Sequence, residues 1–400
     1  MNEDLMTARA SRSLEWMRSW SVVCLLAIVA PACADQLATT EEVAELTGNL
    51  QGAVIPRLPP VPNLTVSTIP PSGDVNPYGV AFVPKRFPDG GKIHFGDILV
   101  SNFNNSENLQ GTGSSIVTVH PDGTQMLFFQ GPPGLGLTTA LGILESGFVI
   151  VGNVPSTNTS DPGMCMNLET DVGQGALTVI DKNGHAVQTI ANPTFLDGPW
   201  DLTIRERGAH PTVFVSNVRS GTVTRLDLEV HDTGCGGALP IEVERMTQIA
   251  SGYVHSCDPA AFVIGPTGLA LDEPHDKLFV ASTGDNKIFA ISDASDRTHD
   301  AGTGKVFIAD NAHLRGPLGL ALTPNGGLLI SNGDAINSDP TGVHVSEIVE
   351  YDRHGHFVAE LQVDPMAGAA FGIALARRGN RLILAAVDDA TNQLKVWKTQ

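Results

Sequence analysis

The chain has 400 residues, of which 42 are Gly and 26 are Pro, while Asp, Glu, Lys and Arg together make up only 17%. This composition excludes intrinsic disorder as the main state and is typical of a turn-rich β protein. The formal net charge is −19 at neutral pH. Such a surface repels polyanions, so nucleic acid is excluded as a partner.

The N-terminal 33 residues have the pattern of an export signal. The basic residue Arg18 precedes a short apolar run over Ser21–Ala30, and small residues follow at Ala32 and Ala34. The run is too short for a transmembrane helix, which needs about 20 apolar residues. We therefore expect residues 1–33 to be removed and the mature protein to be located in the cell envelope, either periplasmic or extracellular.

Two processing sites compete at the end of this segment. Ala30-Pro31-Ala32-Cys33 resembles a bacterial lipobox, in which Cys33 becomes the lipidated N-terminus and the lipid anchor is the protein's contact with a membrane. Ala32-Cys33-Ala34 also satisfies the A-x-A rule, which leaves a free N-terminus near Asp35. Residues 34–62, with four Pro near their end, are expected to form a tether that ends in a semi-rigid spacer.

Residues 63–400 contain six copies of a three-strand pattern, and this repetition predicts an all-β protein with the fold of a six-bladed β-propeller. In each copy an apolar strand is followed by a second strand that ends in small polar residues, a loop and a third strand. The predicted first strands are Tyr78–Phe82, Thr139–Ile143, Trp200–Ile204, Thr267–Leu271, Leu318–Leu322 and Phe371–Leu375. The predicted second strands are Asp97–Asn102, Phe148–Asn153, Val213–Asn217, Lys277–Ser282, Leu328–Asn332 and Arg381–Ala386. The predicted third strands are Ser115–His120, Ala176–Asp181, Thr222–Leu228, Lys287–Ser292, Ser346–Asp352 and Gln393–Lys398.

Small residues at the fourth position of each first strand are the physical reason for a propeller. Six innermost strands that converge on one axis leave no room for large side chains there. The six fourth positions are Ala81, Gly142, Thr203, Ala270, Ala321 and Ala374. The sixth copy ends at Gln400 after only three strands, and we expect Asn63–Ile69 to supply its fourth strand, which closes the ring and removes the free edge.

Two segments resemble the repeats of a known family. Leu278–Ile291 (LFVASTGDNKIFAI) looks like an NHL unit, and Val213–Arg225 is a looser match. The chain is therefore similar to the NHL-repeat and SMP-30-like six-bladed propellers over about residues 63–400, as a likeness of fold. The SMP-30-like lactonases use Asn and acidic side chains at the tunnel mouth to hold a divalent cation. Their first-blade Glu has no counterpart, because Asn76-Pro77-Tyr78 stands in its place.

In such a fold the loops that join second to third strands share one face with the loops that join blades, and the tunnel mouth on that face is the usual ligand site. Asp201 is the one acid at the start of a first strand, where it would either bond a neighbouring blade or contact a ligand or metal. Second strands end in Asn102, Asn153, Asn217 and Asn332. These side chains would either bond their own loops or form a ring of amide oxygens. The resemblance implies a divalent cation such as calcium as the candidate cofactor, with Asp201 and this Asn ring as its ligands.

Two functions stay open from the sequence. Tyr78, Trp200 and Phe371 give the mouth an aromatic rim, which suits a non-catalytic propeller that binds a small organic molecule or a protein segment. His255 and His313 lie in blade-joining loops on the same face and are the candidate general bases of a divalent-cation-dependent lactonase or lyase. The sequence contains no Gly-x-Ser-x-Gly, His-Glu-x-x-His or phosphate-loop motif that would decide between the two functions.

Three cysteines, Cys165, Cys235 and Cys257, remain after the signal, so at most one internal disulfide forms. The pattern places Cys165 and Cys257 in loops on the mouth face and Cys235 in a turn on the opposite face. About eight residues of strand, roughly 25 Å, separate Cys235 from Cys257, whereas a disulfide needs α-carbons within about 7 Å. We predict a Cys165–Cys257 bond that holds the blade-two loop over the mouth.

Overall fold

The computed structural model describes residues 52–231 and 239–400. The predicted signal 1–33, Cys33, most of the predicted tether and Cys235 lie outside the described residues. Six sheets of four antiparallel strands form the blades of a propeller, and a two-stranded hairpin lies between the third and the fourth blade. None of the helices in the described part of the chain is long and apolar enough to span a bilayer.

The strands follow the blades in chain order, after β1 (Leu64–Ser67). Blade 1 contains β2 (Val75–Phe82), β3 (Ile98–Asn104), β4 (Ser115–Val119) and β5 (Gln125–Gln130). Blade 2 contains β6 (Leu137–Ile143), β7 (Phe148–Asn153), β8 (Ala176–Asp181) and β9 (Ala186–Ile190). Blade 3 contains β10 (Pro199–Arg205), β11 (Thr212–Asn217), β12 (Thr222–Val230) and β13 (Ile241–Ser251), and the hairpin that follows contains β14 (Ser256–Asp258) and β15 (Phe262–Ile264).

The second half of the chain completes the ring. Blade 4 contains β16 (Pro266–Asp272), β17 (Lys277–Ser282), β18 (Lys287–Ser292) and β19 (Lys305–Ile308). Blade 5 contains β20 (Pro317–Leu322), β21 (Leu328–Asn332), β22 (Glu347–Tyr351) and β23 (Phe357–Gln362). Blade 6 contains β24 (Ala370–Arg378), β25 (Arg381–Asp388) and β26 (Gln393–Lys398). The helical segments are α1 (Leu168–Asp171) and two 3₁₀ turns, Ile55–Arg57 and Glu273–His275.

The N-terminal strand closes the propeller. β1 pairs antiparallel with β26, with Leu64 opposite Val396 and Ser67 opposite Gln393. The strand predicted over Asn63–Ile69 is therefore confirmed as the fourth strand of blade 6. The pairing leaves no blade with three strands, so the sixth sheet has the same size as the other five.

The innermost strands meet around a central channel of about 300 Å³. The predicted small residues Thr203, Ala270, Ala321 and Ala374 lie in its wall. At Gly142 a Cβ atom would come within 2.5 Å of the side chain of Leu202 in the next blade. The close approach of neighbouring first strands confirms the steric reason for small residues at these positions.

The small polar residues that end the second strands join the blades. The hydroxyl of Ser101 donates to the carbonyl of Thr138 in blade 2 at 2.8 Å. The hydroxyl of Ser216 donates in the same way to Thr267 in blade 4 at 2.7 Å, and Ser331 repeats the contact to Phe371 in blade 6. These side chains satisfy carbonyls near the bulge at the start of each first strand, where regular pairing is interrupted.

The end of the predicted tether packs on the propeller. Val54 and Ile55 are buried in the apolar cluster between blades 5 and 6. The carboxylate of Glu350 in β22, only 2% exposed, accepts the N–H groups of Val54 and Ile55, with shortest N–O distances of 2.8 Å. Residues 54–58, which were predicted to lie in the tether before residue 63, therefore pack on the propeller.

Candidate functional site

The mouth of the channel is divided into two halves. One half is filled by aromatic rings from blades 1, 3 and 6 and by a disulfide. On the side of blades 1, 5 and 6 the mouth opens into a cavity of about 400 Å³, which we call the mouth cavity. Its lining is Asn76, Tyr78, Asn104, Asn108, Gln110, Ala260, Ala261, Gly333, Asp334, Ala335, Ala367, Gly368, Phe371 and Asp389.

The aromatic half is a stack of rings around Tyr78. The ring of Tyr78 stacks on Phe103 and on Phe371 with centroids 4.5 Å apart in both pairs, and Trp200 lies 5.7 Å away at a tilt. Tyr78 and Trp200 are only 1% and 2% exposed. Of the three predicted rim residues, Tyr78 and Phe371 line the mouth cavity, whereas Trp200 belongs to the packed cluster behind it.

The β14–β15 hairpin crosses the mouth and is held at two points. Cys257 on β14 forms a disulfide with Cys165 in the long loop of blade 2, with α-carbons 5.2 Å apart. At the hairpin tip, the side chain of Gln110 donates to the carbonyl of Ala260 at 3.0 Å. The pairing of cysteines is the one predicted from the sequence, and it holds the blade-two loop over the aromatic half of the mouth.

Three buried oxygens in the cavity wall have no hydrogen-bond donor among residues 52–231 and 239–400. They are the Oδ1 atoms of Asn76, Asn104 and Asp334, whose residues are 6%, 2% and 8% exposed. A buried acceptor without a donor costs about 1–3 kcal/mol, so native structures nearly always provide one. Three residues of the cavity lining therefore each hold one buried oxygen that lacks a donor in the described structure.

Two carboxyl groups set the electrostatics of the cavity. Burial raises the pKa of Asp334 above its ordinary value, although its Oδ2 accepts the N–H groups of Ser346 and Gly368. Burial, and then the neighbouring charge of Asp388, raise the pKa of Asp389 to about 7. Burial and the charge of Asp389 also raise the pKa of the Tyr78 hydroxyl, which stays protonated. None of the described residues that line the cavity is Lys, Arg or His.

The four predicted ring Asn residues lie outside the described lining of this cavity. The Oδ1 atoms of Asn153, Asn217 and Asn332 accept backbone N–H groups at 3.0–3.1 Å. Their amide nitrogens donate to the loops that lead into their own blades. Asn102 donates to the Thr68 carbonyl in the same manner, while its Oδ1 has no donor in the described structure. Each side chain is thus engaged in holding a loop of its own blade, which was the structural alternative for these positions.

Asp201 lies in the wall of the channel, below the mouth. Its two carboxyl oxygens accept the N–H groups of Leu202 and of Leu269 in blade 4, both at 2.8 Å. Burial raises the pKa of Asp201 to about 8, against the effect of these two N–H groups. The side chain therefore makes the inter-blade hydrogen bond that was one of its two predicted roles, and it is not part of the described mouth cavity.

The two candidate bases are separated from the cavity. The Nδ1 of His255 lies 2.9 Å from the Tyr253 carbonyl, and its ring covers Gly221. The Nδ1 of His313 lies 2.7 Å from Asp310, and the ring stacks on Phe357 of the outermost strand of blade 5, 3.6 Å between centroids. Neither imidazole is among the described residues that line the cavity, so the structure does not bring them together with Asp334 and Asp389.

Several residues of the site were missed by reasoning from the sequence. Asn76 attracted attention in the sequence only because Asn76-Pro77-Tyr78 stands where the SMP-30-like lactonases have a Glu. In the structure its backbone φ is 60°, and the chain turns there at the cavity wall. Asn104 extends β3 two residues beyond the predicted end, so it lies on the same side of the strand as Asn102. Strand spacing could not decide whether the loop residue Asp334 turns inward, and Asp389, which directly follows β25, was not considered.

Comparison with solved structures identifies the fold. A gluconolactonase from Xanthomonas campestris matches with a TM-score of 0.50 and 14% identity over 83% of this chain and 89% of that protein. The major allergen Mala s 1 of Malassezia sympodialis matches with a TM-score of 0.51 and 12% identity over 83% of this chain and 95% of that protein. A calcium-binding regucalcin from Agrobacterium tumefaciens matches with a TM-score of 0.46 and 14% identity over 84% of this chain and 92% of that protein.

No protein-family model and no curated protein sequence matches the chain. Because the identities to the solved structures are 14% or less, the likeness shows the fold alone. At that level the resemblance expected from the sequence is confirmed: the protein is a six-bladed β-propeller similar to the gluconolactonase and SMP-30-like propellers.

Proposed function

We propose that this protein binds a small organic molecule in the mouth cavity. The observation that carries the proposal is the combination of an aromatic wall, Tyr78 and Phe371, with three buried oxygens that have no donor in the described structure. A volume of about 400 Å³ lies in the range of small-molecule pockets. It favours a small molecule over a protein segment as the partner, and a movement of the lining side chains would let donors on that molecule reach the orphaned oxygens, which lie beneath the cavity surface.

A fragment screen by ligand-observed NMR on the mature chain tests this proposal. Phe371→Ala removes one wall of the cavity, and we expect it to weaken the binding of fragments by about tenfold, as for an aromatic anchor in a pocket. Met366→Ala is the control, because this side chain is 62% exposed and lies outside the cavity lining. Fragments that bind the wild type and Phe371→Ala equally well would exclude this cavity as the binding site.

A second candidate function is a divalent-cation-dependent lactonase or lyase. Asn76, Asn104, Asp334 and Asp389 line the cavity, and their carboxyl and amide oxygens are ligand types that suit a hard cation such as Ca²⁺. When bound, such a cation would polarise the carbonyl of a lactone. Asp389, with a pKa of about 7, would be the group that holds or releases a proton beside the substrate.

Metal analysis and calorimetric titration with Ca²⁺ separate the two candidates. The second candidate requires a bound cation that is lost in the double variant Asp334→Asn/Asp389→Asn and kept in Asp161→Asn, whose exposed acid lies in a loop of the same face. It also requires hydrolysis of glucono-δ-lactone that depends on the added cation. Protein that binds no divalent cation and leaves this lactone intact would remove the enzyme candidate and leave the binding function in place.

We also propose that the protein is exported and processed near Cys33. The proposal is supported by the basic residue, short apolar run and small residues of the first 33 positions. Mass spectrometry of the mature N-terminus distinguishes a diacylglyceryl-Cys33 from a free Asp35. Protein from the native host that still begins at Met1, or at Met17 directly before the apolar run, would contradict both forms.

A further inference from the structure

The loops around the mouth carry almost only negative charge. We call mouth loops the segments that join blades or join second to third strands: 68–74, 105–114, 131–136, 154–175, 191–198, 218–221, 252–265, 283–286, 309–316, 333–346, 363–369 and 389–392. The acids in these segments are Asp74, Glu107, Asp161, Glu169, Asp171, Asp197, Asp258, Asp285, Asp310, Asp334, Asp339, Asp364 and Asp389. The Lys and Arg residues in the same segments are Arg219 and Arg315.

Both of these arginines are already paired. Arg219 makes ion pairs with Asp197 and, at 3.2 Å, with Glu169. The Nε of Arg315 lies 4.0 Å from the carboxylate of Glu347. The mouth face therefore has a large excess of acids, and a cleft lined by one sign of charge concentrates ligands of the opposite sign.

The connections on the opposite face differ, because they hold cations among their acids. Lys85, Arg86, Lys182 and Arg207 lie in these turns. The net charge of −19 is thus distributed unevenly, and its effect is greatest at the mouth.

The charged groups inside the cavity have the same sign as those of the mouth loops. Asp334 and Asp389 face a space whose described lining contains no basic side chain. The rings of Tyr78 and Phe371 stand in the same wall, stacked with centroids 4.5 Å apart. Both faces of the Tyr78 ring are covered by Phe103 and Phe371, so the half-buried Phe371 is the ring that can offer the negative face of its π system to a cation. The two acids would repel a ligand that carries a carboxylate.

We propose that the ligand of the mouth cavity is a small organic cation, an amine or a quaternary ammonium with an apolar surface. The inference rests on the proposed binding function and adds the charge of the ligand to it. The accessible side of the Phe371 ring would contact the apolar part of such a ligand, and the carboxyl groups of Asp334 and Asp389 would attract its positive end.

The test compares cations with uncharged molecules of the same shape. Tetramethylammonium, choline and benzyltrimethylammonium are each titrated into the EDTA-treated mature protein, alongside neopentane-type neutral isosteres such as 3,3-dimethyl-1-butanol for choline, and the anion 3,3-dimethylbutanoate. We expect at least one cation to bind about tenfold more tightly than its neutral isostere, and the anion not to bind. Asp334→Asn/Asp389→Asn should remove this preference, whereas Asp161→Asn should change the affinity less than twofold.

The outcomes distinguish the inference from the function on which it rests. Neutral isosteres that bind as tightly as the cations, and lose affinity in Phe371→Ala, would overturn the charge preference and leave the binding function standing. Cations that bind the double variant as tightly as the wild type would also overturn the inference. If neither the cations nor any fragment of the screen binds, both the inference and the binding function fail.

Discussion

Two aspartates, one on each face of this propeller, lie in opposite environments. On the opposite face Asp181 closes the turn between β8 and β9, and its Oδ1 accepts the N–H groups of Asn183 and His185, both at 2.9 Å. Burial works against ionisation there, but these N–H groups outweigh it and lower the pKa of Asp181. At the mouth, burial and the charge of Asp388 raise the pKa of Asp389 to about 7.

The difference between the two aspartates lies in where hydrogen-bond donors are found. In a tight turn the N–H groups two and four residues ahead are within reach of an Asp side chain, so the turn satisfies its own acceptor. At the mouth, the strand residues Asn76 and Asn104 and the loop residue Asp334 line one cavity, and the Oδ1 atom of each has no donor in the described structure. Asp181 therefore stabilises its own turn, whereas Asp334 and Asp389 line the cavity in which we propose that a ligand binds.

The largest expected effect tests whether both faces depend on one closed ring. Deletion of residues 63–69 removes β1, the hydrogen bonds to β26 and the packing of Leu64 and Val66. We expect a loss of roughly 5 kcal/mol, which lowers the Tm by about 10 °C in a domain of this size. Calorimetry measures the change, with the exposed Thr65→Ala as the control. A deletion protein with the Tm of the wild type would contradict closure by this strand.

The buried carboxyl group of Asp201 in the channel wall predicts a stability that depends on pH. Asp201 has a pKa of about 8 in the folded protein and about 3.9 when unfolded, so between these values the folded state keeps a proton that the unfolded state has released. Stability from this group is full below pH ~4 and is lost as pH rises towards 8, by up to about 1.4 kcal/mol per pH unit. Melting curves of the wild type and Asp201→Asn between these pH values should therefore converge or cross as pH rises. Parallel curves would contradict the raised pKa.

The mouth face alone should depend on the disulfide. The bond joins cysteines 92 residues apart, and its removal in Cys165→Ser/Cys257→Ser is expected to cost about 2–4 kcal/mol. Because the bond holds loops over the mouth, ligand affinity should fall as well. Non-reducing peptide mapping checks the pairing, and a Cys235–Cys257 peptide or three free thiols would show that the loops are placed wrongly.

The smallest expected effect on stability comes from a direct comparison of one aspartate from each face. Asp181→Ala removes an acceptor that two N–H groups use, so we expect a loss of about 1 kcal/mol and unchanged ligand binding. Asp334→Asn keeps an oxygen for Ser346 and Gly368 and removes a buried charge. It should leave the free energy of unfolding unchanged or raise it by up to about 1 kcal/mol while it weakens binding. Urea denaturation measures the free energy of unfolding of both variants. An Asp334→Asn protein that is less stable than Asp181→Ala would contradict the distinction between these two aspartates.

Much of the fold could be predicted from the sequence because it is repeated. All six first strands were located from apolar residues around a small residue, and the closing strand from a missing partner in the last copy. Their starts were the weakest point, as for β2, which begins at Val75 instead of Tyr78. A bulge between Pro77 and Val80 interrupts its pairing with β3, and no alternation of apolar residues marks such an irregular start.

The site was less accessible to the same reasoning. The Asn residues that end four second strands attracted attention because they recur, and three of these four amide oxygens accept backbone N–H groups of their own blades. Asp389 has no such repeat, yet it lies in the cavity wall beside Tyr78 and Phe371. Periodicity indicates what every blade needs for packing, whereas a ligand site depends on what individual blades do differently.

The sequence by itself determined the six blades, their closure and the acidic character of the protein, because these follow from residue size, strand period and charge within short segments. Only the tertiary structure decided which side chains share the mouth cavity. Asn76 and Asn104 lie on strands of blade 1, whereas Asp334 and Asp389 lie in loops of blades 5 and 6, and their meeting depends on how these blades pack around the axis. That packing is set by contacts between distant segments, such as the hydrogen bond from Ser331 to the Phe371 carbonyl, and no local pattern in the chain encodes it.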